Sequence, residues 1–72
     1  MAKFTENELN LIIDRLIELL CQENRQVNIA DYELHKKTYS QKRQIFHALF
    51  MTRKPAPLNP EFLRLQNELL TF

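Results

Sequence analysis

The stretch "FTENELNLIIDRLIELLCQE", residues 4–23, predicts an amphipathic helix and decides the fold class of the chain. Thr5 is followed three residues later by Glu8, which is the pattern of a capping box at a helix start. We therefore predict a helix over residues 6–23. Its apolar residues recur with helical spacing, opposite a polar face: Leu9, Ile12, Ile13, Leu16, Ile17, Leu19 and Leu20.

The length and composition of the chain indicate one small globular domain. It has 72 residues, of which 44% are apolar and 26% charged. Ordering such a chain costs about 100 kcal/mol, and offsetting that cost requires on the order of 4,000 Å² of buried apolar area. A single cysteine provides no internal disulfide. We expect residues 1–72 to form a single helical domain that is a marginal monomer, a homodimer, or a piece docked on a larger protein.

The sequence gives no indication of a membrane or a secretory route. It contains no apolar run near the roughly 20 residues that a membrane span needs. The start, "MAKFTENELN", lacks the apolar core and cleavage site of a secretory signal. The single thiol, Cys21, which we place at the edge of the apolar face of the first helix, fits a reducing compartment. We expect a cytoplasmic protein with no membrane partner.

The segment "NRQVNIADYELHKKTYS", residues 24–40, has no clear period. Val27, Ile29, Tyr32 and Leu34 hint at the alternation of a strand, but a lone strand needs a partner to pair with. We predict an extended or single-turn connector whose apolar residues attach it to the core.

A second helix is predicted in "TYSQKRQIFHALFMTR", residues 38–53. Thr38 with Gln41, or Ser40 alone, can cap its start. The helix must end near Arg53. Lys54 precedes Pro55, and a residue that precedes a proline avoids the helical region. Its predicted buried stripe is Ile45, Phe46, Leu49 and Phe50.

A proline-rich segment follows the second helix. Pro55 and Pro57 stop that helix and stiffen the chain after it. We predict that residues 54–59 form an ordered strut that fixes the angle between two helices. Lys54, Pro57 and Pro60 also match the basic-x-x-Pro-x-x-Pro spacing of polyproline ligands, but Pro60 is already explained as part of a helix start.

A third helix is predicted in "APLNPEFLRLQNELLTF", residues 56–72. Asn59 is a favourable N-cap, and Pro60 takes the first helical position, where its missing N–H costs nothing. Leu58 and Leu63 occupy the staple positions. No residue that would end this helix follows it, so we expect either that the polypeptide continues beyond Phe72 or that this end of the helix is frayed. Its apolar stripe is Phe62, Leu65, Leu69 and Phe72, with Leu63 and Leu70 beside it.

Few residues could carry chemistry. Cys21, His35 and His47 are the soft ligand candidates, and their separations of 14 and 12 residues match no metal-binding pattern. We expect a buried, inert thiol and structural or surface histidines. The chain has no glycine and therefore no glycine-rich phosphate loop. We expect no cofactor, no metal and no catalytic residue.

The charge is unevenly distributed along the chain. Residues 1–33 carry a net charge of −4, whereas residues 34–60 carry +6 without any acidic residue. The stretch "KKTYSQKR", residues 36–43, would suit contacts with phosphates. The acidic first helix can instead complement the basic second helix internally. We favour internal complementarity over nucleic-acid binding.

The segment "SQKRQIFHALFMTRKPAPLNPEFLRLQNELL", residues 40–70, resembles the N-terminal segment of the bacterial zinc-dependent macrodomain proteins, which hydrolyse ADP-ribose from modified proteins. "LIELLCQEN", residues 16–24, is similar to the first helix of that family. His47 and Asn67 depart from it, standing where Arg and Asp are common. The matching residues are Arg43, Ala48, Leu49, Arg53, Pro55, Pro57, Leu58, Phe62, Leu65, Gln66 and Leu69.

The resemblance implies a non-catalytic N-terminal helical module that packs beside a downstream macrodomain or presents substrate to it. In that family the catalytic and zinc-binding residues lie in the macrodomain, so none is carried over to this chain. The alternative is a free-standing adaptor that binds nucleic acid or an acidic partner through residues 34–54. The residues expected to form the structural motif of the module are Arg53, Pro55, Pro57, Leu58, Asn59, Pro60 and Phe62.

Overall fold

The computed structural model describes residues 4–23, 27–52 and 59–70. Every regular element in these ranges is helical. The predicted all-α class is therefore confirmed. Two short 3-10 helices lie between the first two α-helices. In chain order the elements are α1 (Glu6–Glu23), the 3-10 helices Ile29–Tyr32 and Leu34–Lys36, α2 (Tyr39–Thr52) and α3 (Pro60–Leu70).

Capping boxes start the first two helices, as the sequence predicts. At α1 the backbone N–H of Glu8 donates to Thr5 Oγ1 at 3.2 Å, and the N–H of Thr5 donates to Glu8 Oε1 at 3.3 Å. At α2 the N–H of Gln41 donates to Thr38 Oγ1 at 3.3 Å, and the N–H of Thr38 donates to Gln41 Oε1 at 2.9 Å. Thr38 rather than Ser40 is thus the cap of α2.

The core is built on α1, which packs against both α2 and α3. Most core residues come from this helix, and Phe62 from α3 completes the cluster. Cys21 is only 9% exposed and belongs to the core, so the predicted burial of the thiol is confirmed, whereas its predicted place at the edge of the apolar face is wrong. It follows Ile17 by one helical turn and therefore points the same way. The buried cluster is Ile13, Leu16, Ile17, Leu19, Leu20, Cys21 and Phe62.

The apolar stripes of α2 and α3 cover this cluster from outside. All four predicted stripe residues of α2 pack against the core but remain half-buried. On α3, Phe62 is buried and Leu65 and Leu69 are half-buried against the core, while Leu63 stays 49% exposed. Phe72, the last member of the predicted stripe, lies outside the described residues. The α2 and α3 stripes therefore form a half-exposed outer layer on the α1 core.

The described part of the connector between α1 and α2, residues 27–38, contains the two single-turn helices, and the single-turn alternative of the prediction is confirmed there. Val27, Ile29, Tyr32 and Leu34 all pack against the core. Glu33 joins the two turns in the left-handed region, with φ 47° and ψ 52°. That conformation costs a residue with a Cβ about 1–2 kcal/mol, and no glycine is available in this chain to avoid the cost.

Candidate functional site

The predicted proline strut lies largely outside the described residues. In the predicted structural motif, Arg53, Pro55, Pro57 and Leu58 lie outside the described residues, so the strut and the staple between Leu58 and Leu63 stay predictions. Asn59, Pro60 and Phe62 are described. Their positions show what this part of the predicted motif does.

Asn59 and Pro60 start α3 as the sequence predicts. The side-chain Oδ1 of Asn59 accepts a hydrogen bond of 2.7 Å from the backbone N–H of Glu61. Pro60 is the first helical residue, and the N–H of Leu63 donates to the Asn59 carbonyl at 3.0 Å. This end of the motif is therefore a helix cap.

Phe62 joins α3 to α2 through a cluster of three rings. Its ring centroid lies 6.0 Å from the centroids of Phe46 and Phe50, which are 5.9 Å from each other. The planes of Phe50 and Phe62 are nearly parallel, at 2°. Since Phe62 is only 1% exposed, it acts in packing and has no surface to offer a ligand.

Two ion pairs tie α1 to the other helices, and the first uses Lys42 of α2. Only 5% of Lys42 is exposed, and its Nζ donates to Asn10 Oδ1 at 3.1 Å and to Asp14 Oδ2 at 3.2 Å. Asp14 Oδ1 is closer, at 3.0 Å, but lies off the hydrogen-bond direction, so that contact is ionic. The expected complementarity between an acidic α1 and a basic α2 is present at this pair.

The second ion pair joins α1 to α3. Arg15 donates from Nε to Glu61 Oε2 at 2.8 Å and from Nη2 to Glu61 Oε1 at 2.9 Å, while its Nη1 donates to Glu18 Oε1 at 2.8 Å. The two-point hydrogen bond from Arg15 lowers the pKa of Glu61 below its ordinary value, and the same bond raises the pKa of Arg15. The pair fixes the position of the first turn of α3 on α1.

An open groove of about 630 Å³ runs along α2 on the side of the connector; we name it the α2 groove. Its apolar lining comes from Val27, Tyr32, Ile45 and Leu49, which are half-buried and continuous with the core. The other lining residues are Lys37, Gln41, Gln44, Ala48 and Thr52. The lining of the groove therefore combines apolar side chains that pack on the core with amide, hydroxyl and ammonium groups.

Besides Lys42, the basic side chains and imidazoles of residues 34–52 are exposed or half-buried: His35, Lys36, Lys37, Arg43 and His47. Arg43 lies over the ring of Tyr39, at 5.9 Å from its centroid. Lys36 is 3.7 Å from the carboxylate of Glu33, and both side chains are largely exposed. A shallow depression of about 420 Å³ is lined by Ser40, Arg43, Gln44 and His47.

The three soft ligand candidates lie in different environments. Cys21 is in the core, where burial raises the pKa of its thiol, whereas His35 and His47 are exposed. Within the described ranges, no group of three or more His, Cys, Asp or Glu residues is placed to hold a metal ion. The structure does not bring these residues together.

Neither the burial of the Lys42 side chain nor the α2 groove was predicted from the sequence. Lys42 precedes Ile45 and Phe46 by three and four residues, so it is in phase with the apolar stripe of α2, and this phase was the available signal. The sequence carries no such signal for the groove, because half of the apolar floor comes from the connector.

No helix in the part of the chain that the structure describes has the length and apolar character needed to cross a membrane. Comparisons of this chain with family models, with curated proteins and with solved structures found no match.

Proposed function

We propose that this chain is a non-catalytic helical module that packs beside, or presents substrate to, a macrodomain ADP-ribosyl hydrolase. The observation that carries the proposal is the run of matching residues in the segment 40–70. Chemistry would belong to the macrodomain, which would supply the zinc and the ADP-ribose site. The single free thiol supports a cytoplasmic setting for the pair.

The positions of the matching residues support a packing role. Phe62 is buried, and Leu49, Leu65 and Leu69 pack against the core. These side chains hold the three helices together and offer little surface for substrate. The resembling segment therefore contributes a scaffold for contacts made by other residues.

In the part of the chain that the structure describes, three large apolar side chains are available for such contacts. The exposed fractions are 70% for Leu11 of α1, 66% for Met51 of α2 and 49% for Leu63 of α3. Burying one of them against a neighbouring domain contributes roughly 1.5–3 kcal/mol. A homodimer of the isolated chain would use the same side chains.

The test is to mix the isotope-labelled chain with a bacterial zinc-dependent macrodomain hydrolase and record amide shifts by NMR. We expect shifts near the three exposed apolar residues. Leu11→Glu should abolish the shifts, and Asn7→Glu, one turn earlier on α1, is the matched control. Stoichiometric zinc binding or micromolar ADP-ribose affinity in the 72-residue chain alone would contradict the proposal.

A second candidate function is favoured by the charge of α2 and the connector. We propose as the alternative an adaptor that binds nucleic acid or an acidic partner through residues 34–54. Residues 34–52 carry no acidic side chain, and Lys36, Lys37 and Arg43 are not buried. Lys42 is already neutralised by Asp14, which leaves few cations for a phosphate backbone and favours an acidic protein.

Salt dependence tests the adaptor. Each phosphate contact steepens the loss of affinity with added salt, so nucleic-acid binding should fall sharply between low and physiological salt. The chain should be titrated against an acidic peptide and against an oligonucleotide at both salt concentrations. If neither ligand binds at low salt, the adaptor function is wrong.

A further inference from the structure

The α2 groove has the lining of a peptide site. Ile45 and Leu49 are one helical turn apart on α2 and form one wall of its apolar floor, and Val27 and Tyr32 of the connector form the other. All four are half-buried and rest on the core, so the floor is already supported from beneath. A cavity of about 150 Å³ holds one benzene-sized group. The 630 Å³ groove therefore has room for three or four large apolar side chains.

The charge of the groove lining is of one sign. Lys37 is the charged member of the lining, and among the described residues no Asp or Glu lines the groove. Asp31 and Glu33 flank the lining residue Tyr32 in sequence, and the carboxylate of Glu33 faces Lys36. An occupant with carboxylates along the flank of Lys37 would therefore meet a complementary charge.

The shape of the groove selects among possible occupants. Small-molecule sites bury most of their ligand's surface, whereas this groove is open along its length. A nucleic-acid backbone would leave the apolar floor uncovered and would need more cations than the groove offers. An amphipathic helix places apolar side chains one turn apart, which matches the spacing of Ile45 and Leu49, and its charged flank can reach Lys37.

We propose that the α2 groove is a docking site for an acidic amphipathic helix, whose apolar face covers Ile45 and Leu49 and whose carboxylates pair with Lys37. The proposal deepens the adaptor function and rests on it. It names the partner as a protein segment and the groove as the place where that segment binds.

The experiment uses the full 72-residue chain, isotope-labelled, and a synthetic helical peptide of about 14 residues, which is near the minimum for a helix. The peptide carries Leu at every third and fourth position and Glu elsewhere. One control peptide replaces each Glu with Gln, and the other replaces each Leu with Ser. A short oligouridine is titrated in parallel.

Two pairs of variants separate the groove from the rest of α2. Ala48→Gln places a larger neutral side chain in the groove, at an exposed position and with a good helix former; His47→Gln, at the neighbouring exposed residue outside the groove, is its control. Lys37→Glu reverses the charge of the lining, and Arg43→Glu makes the same change outside it. Far-UV circular dichroism checks that all four variants remain folded.

We expect the acidic amphipathic peptide to bind with a Kd between about 1 μM and 1 mM. The largest amide shifts should be those of Ile45, Ala48 and Leu49. Ala48→Gln and Lys37→Glu should each weaken binding about fivefold or more, and their controls less than about twofold. Both control peptides should bind more weakly than the parent peptide.

Three results would overturn the proposal. If the serine peptide binds as well as the parent and the shifts centre on Arg43, the adaptor function stands but the groove is not its site. If oligouridine binds more tightly than the parent peptide, the partner is a nucleic acid. If no ligand binds at low salt, both the docking site and the adaptor function are wrong.

Discussion

Replacing Phe62 with alanine tests the packing argument most directly, because among the described residues Phe62 is the buried side chain of α3 in the core. Phe62 is 1% exposed, so truncation to alanine removes the whole transfer free energy of its ring and leaves a cavity. Such Phe→Ala changes cost about 3–5 kcal/mol. The variant also loses two ring contacts at 6.0 Å, to Phe46 and Phe50, and such aromatic pairs contribute about 0.5–1.5 kcal/mol each beyond burial.

The expected loss is large compared with the total stability of the chain. At about 0.05–0.15 kcal/mol per residue, 72 residues give roughly 4–11 kcal/mol in total. Each kcal/mol corresponds to about 4–8 °C in Tm for a domain of this size. We therefore expect Phe62→Ala to lower Tm by at least about 15 °C or to unfold the chain. Phe62→Leu, which keeps most of the apolar volume, should cost about 1–2 kcal/mol.

The assay is thermal and urea unfolding followed by far-UV circular dichroism. Leu63→Ala is the matched control, since Leu63 is the next residue on α3 and is 49% exposed; we expect it to cost under about 1 kcal/mol. If Phe62→Ala melts within about 5 °C of the parent chain, or if Leu63→Ala costs as much as Phe62→Ala, then α3 is not held by this ring and the packing argument fails.

Three further changes test local features. Asn59→Ala should destabilise the chain by about 0.5–2 kcal/mol, because it removes the acceptor of the Glu61 N–H; an unchanged urea midpoint would contradict the cap. Glu33→Gly should stabilise the chain by up to about 1 kcal/mol in urea unfolding by relieving the left-handed conformation, whereas Glu33→Ala, which keeps the Cβ, should not stabilise it. The pair between Arg15 and Glu61 predicts a pH dependence. The pKa of Glu61 is lowered in the folded chain, so its contribution is complete above its unfolded pKa of about 4.5 and is lost as the pH falls below that value. The difference in stability between the parent chain and Glu61→Gln should therefore be constant near neutral pH and shrink in acid; a difference that grows in acid would refute the assignment.

Helix boundaries were predictable because short-range chemistry determines them. The predicted bounds of α1, residues 6–23, match the observed helix, since a capping box needs only Thr5 and Glu8. The start of α3 follows in the same way from Asn59 and Pro60. In each case the groups that satisfy the free backbone donors lie within three residues of one another.

The depth of burial was harder to predict, because it depends on how the helices are placed against each other. The sequence predicts a buried Cys21 thiol but places it at the edge of the apolar face, whereas Cys21 lies in the core, in phase with Ile17. Lys42 is buried because Asn10 and Asp14 of α1, which are four residues apart, face it across the helix interface. The α2 groove is lined by residues of both the connector and α2, and no pattern within one segment encodes that.

The place of Cys21 in the core has a consequence for kinetics. It is the one thiol of the chain, and it lies among the buried residues of α1, where burial also raises the pKa of the thiol and disfavours the reactive thiolate. A thiol reagent can therefore modify it at an appreciable rate only after the helices separate. With dilute reagent the labelling rate reports the equilibrium population of the opened chain, and with concentrated reagent it approaches the rate constant of opening itself. The labelling rate of Cys21 in the unmodified sequence therefore measures how often its helices separate.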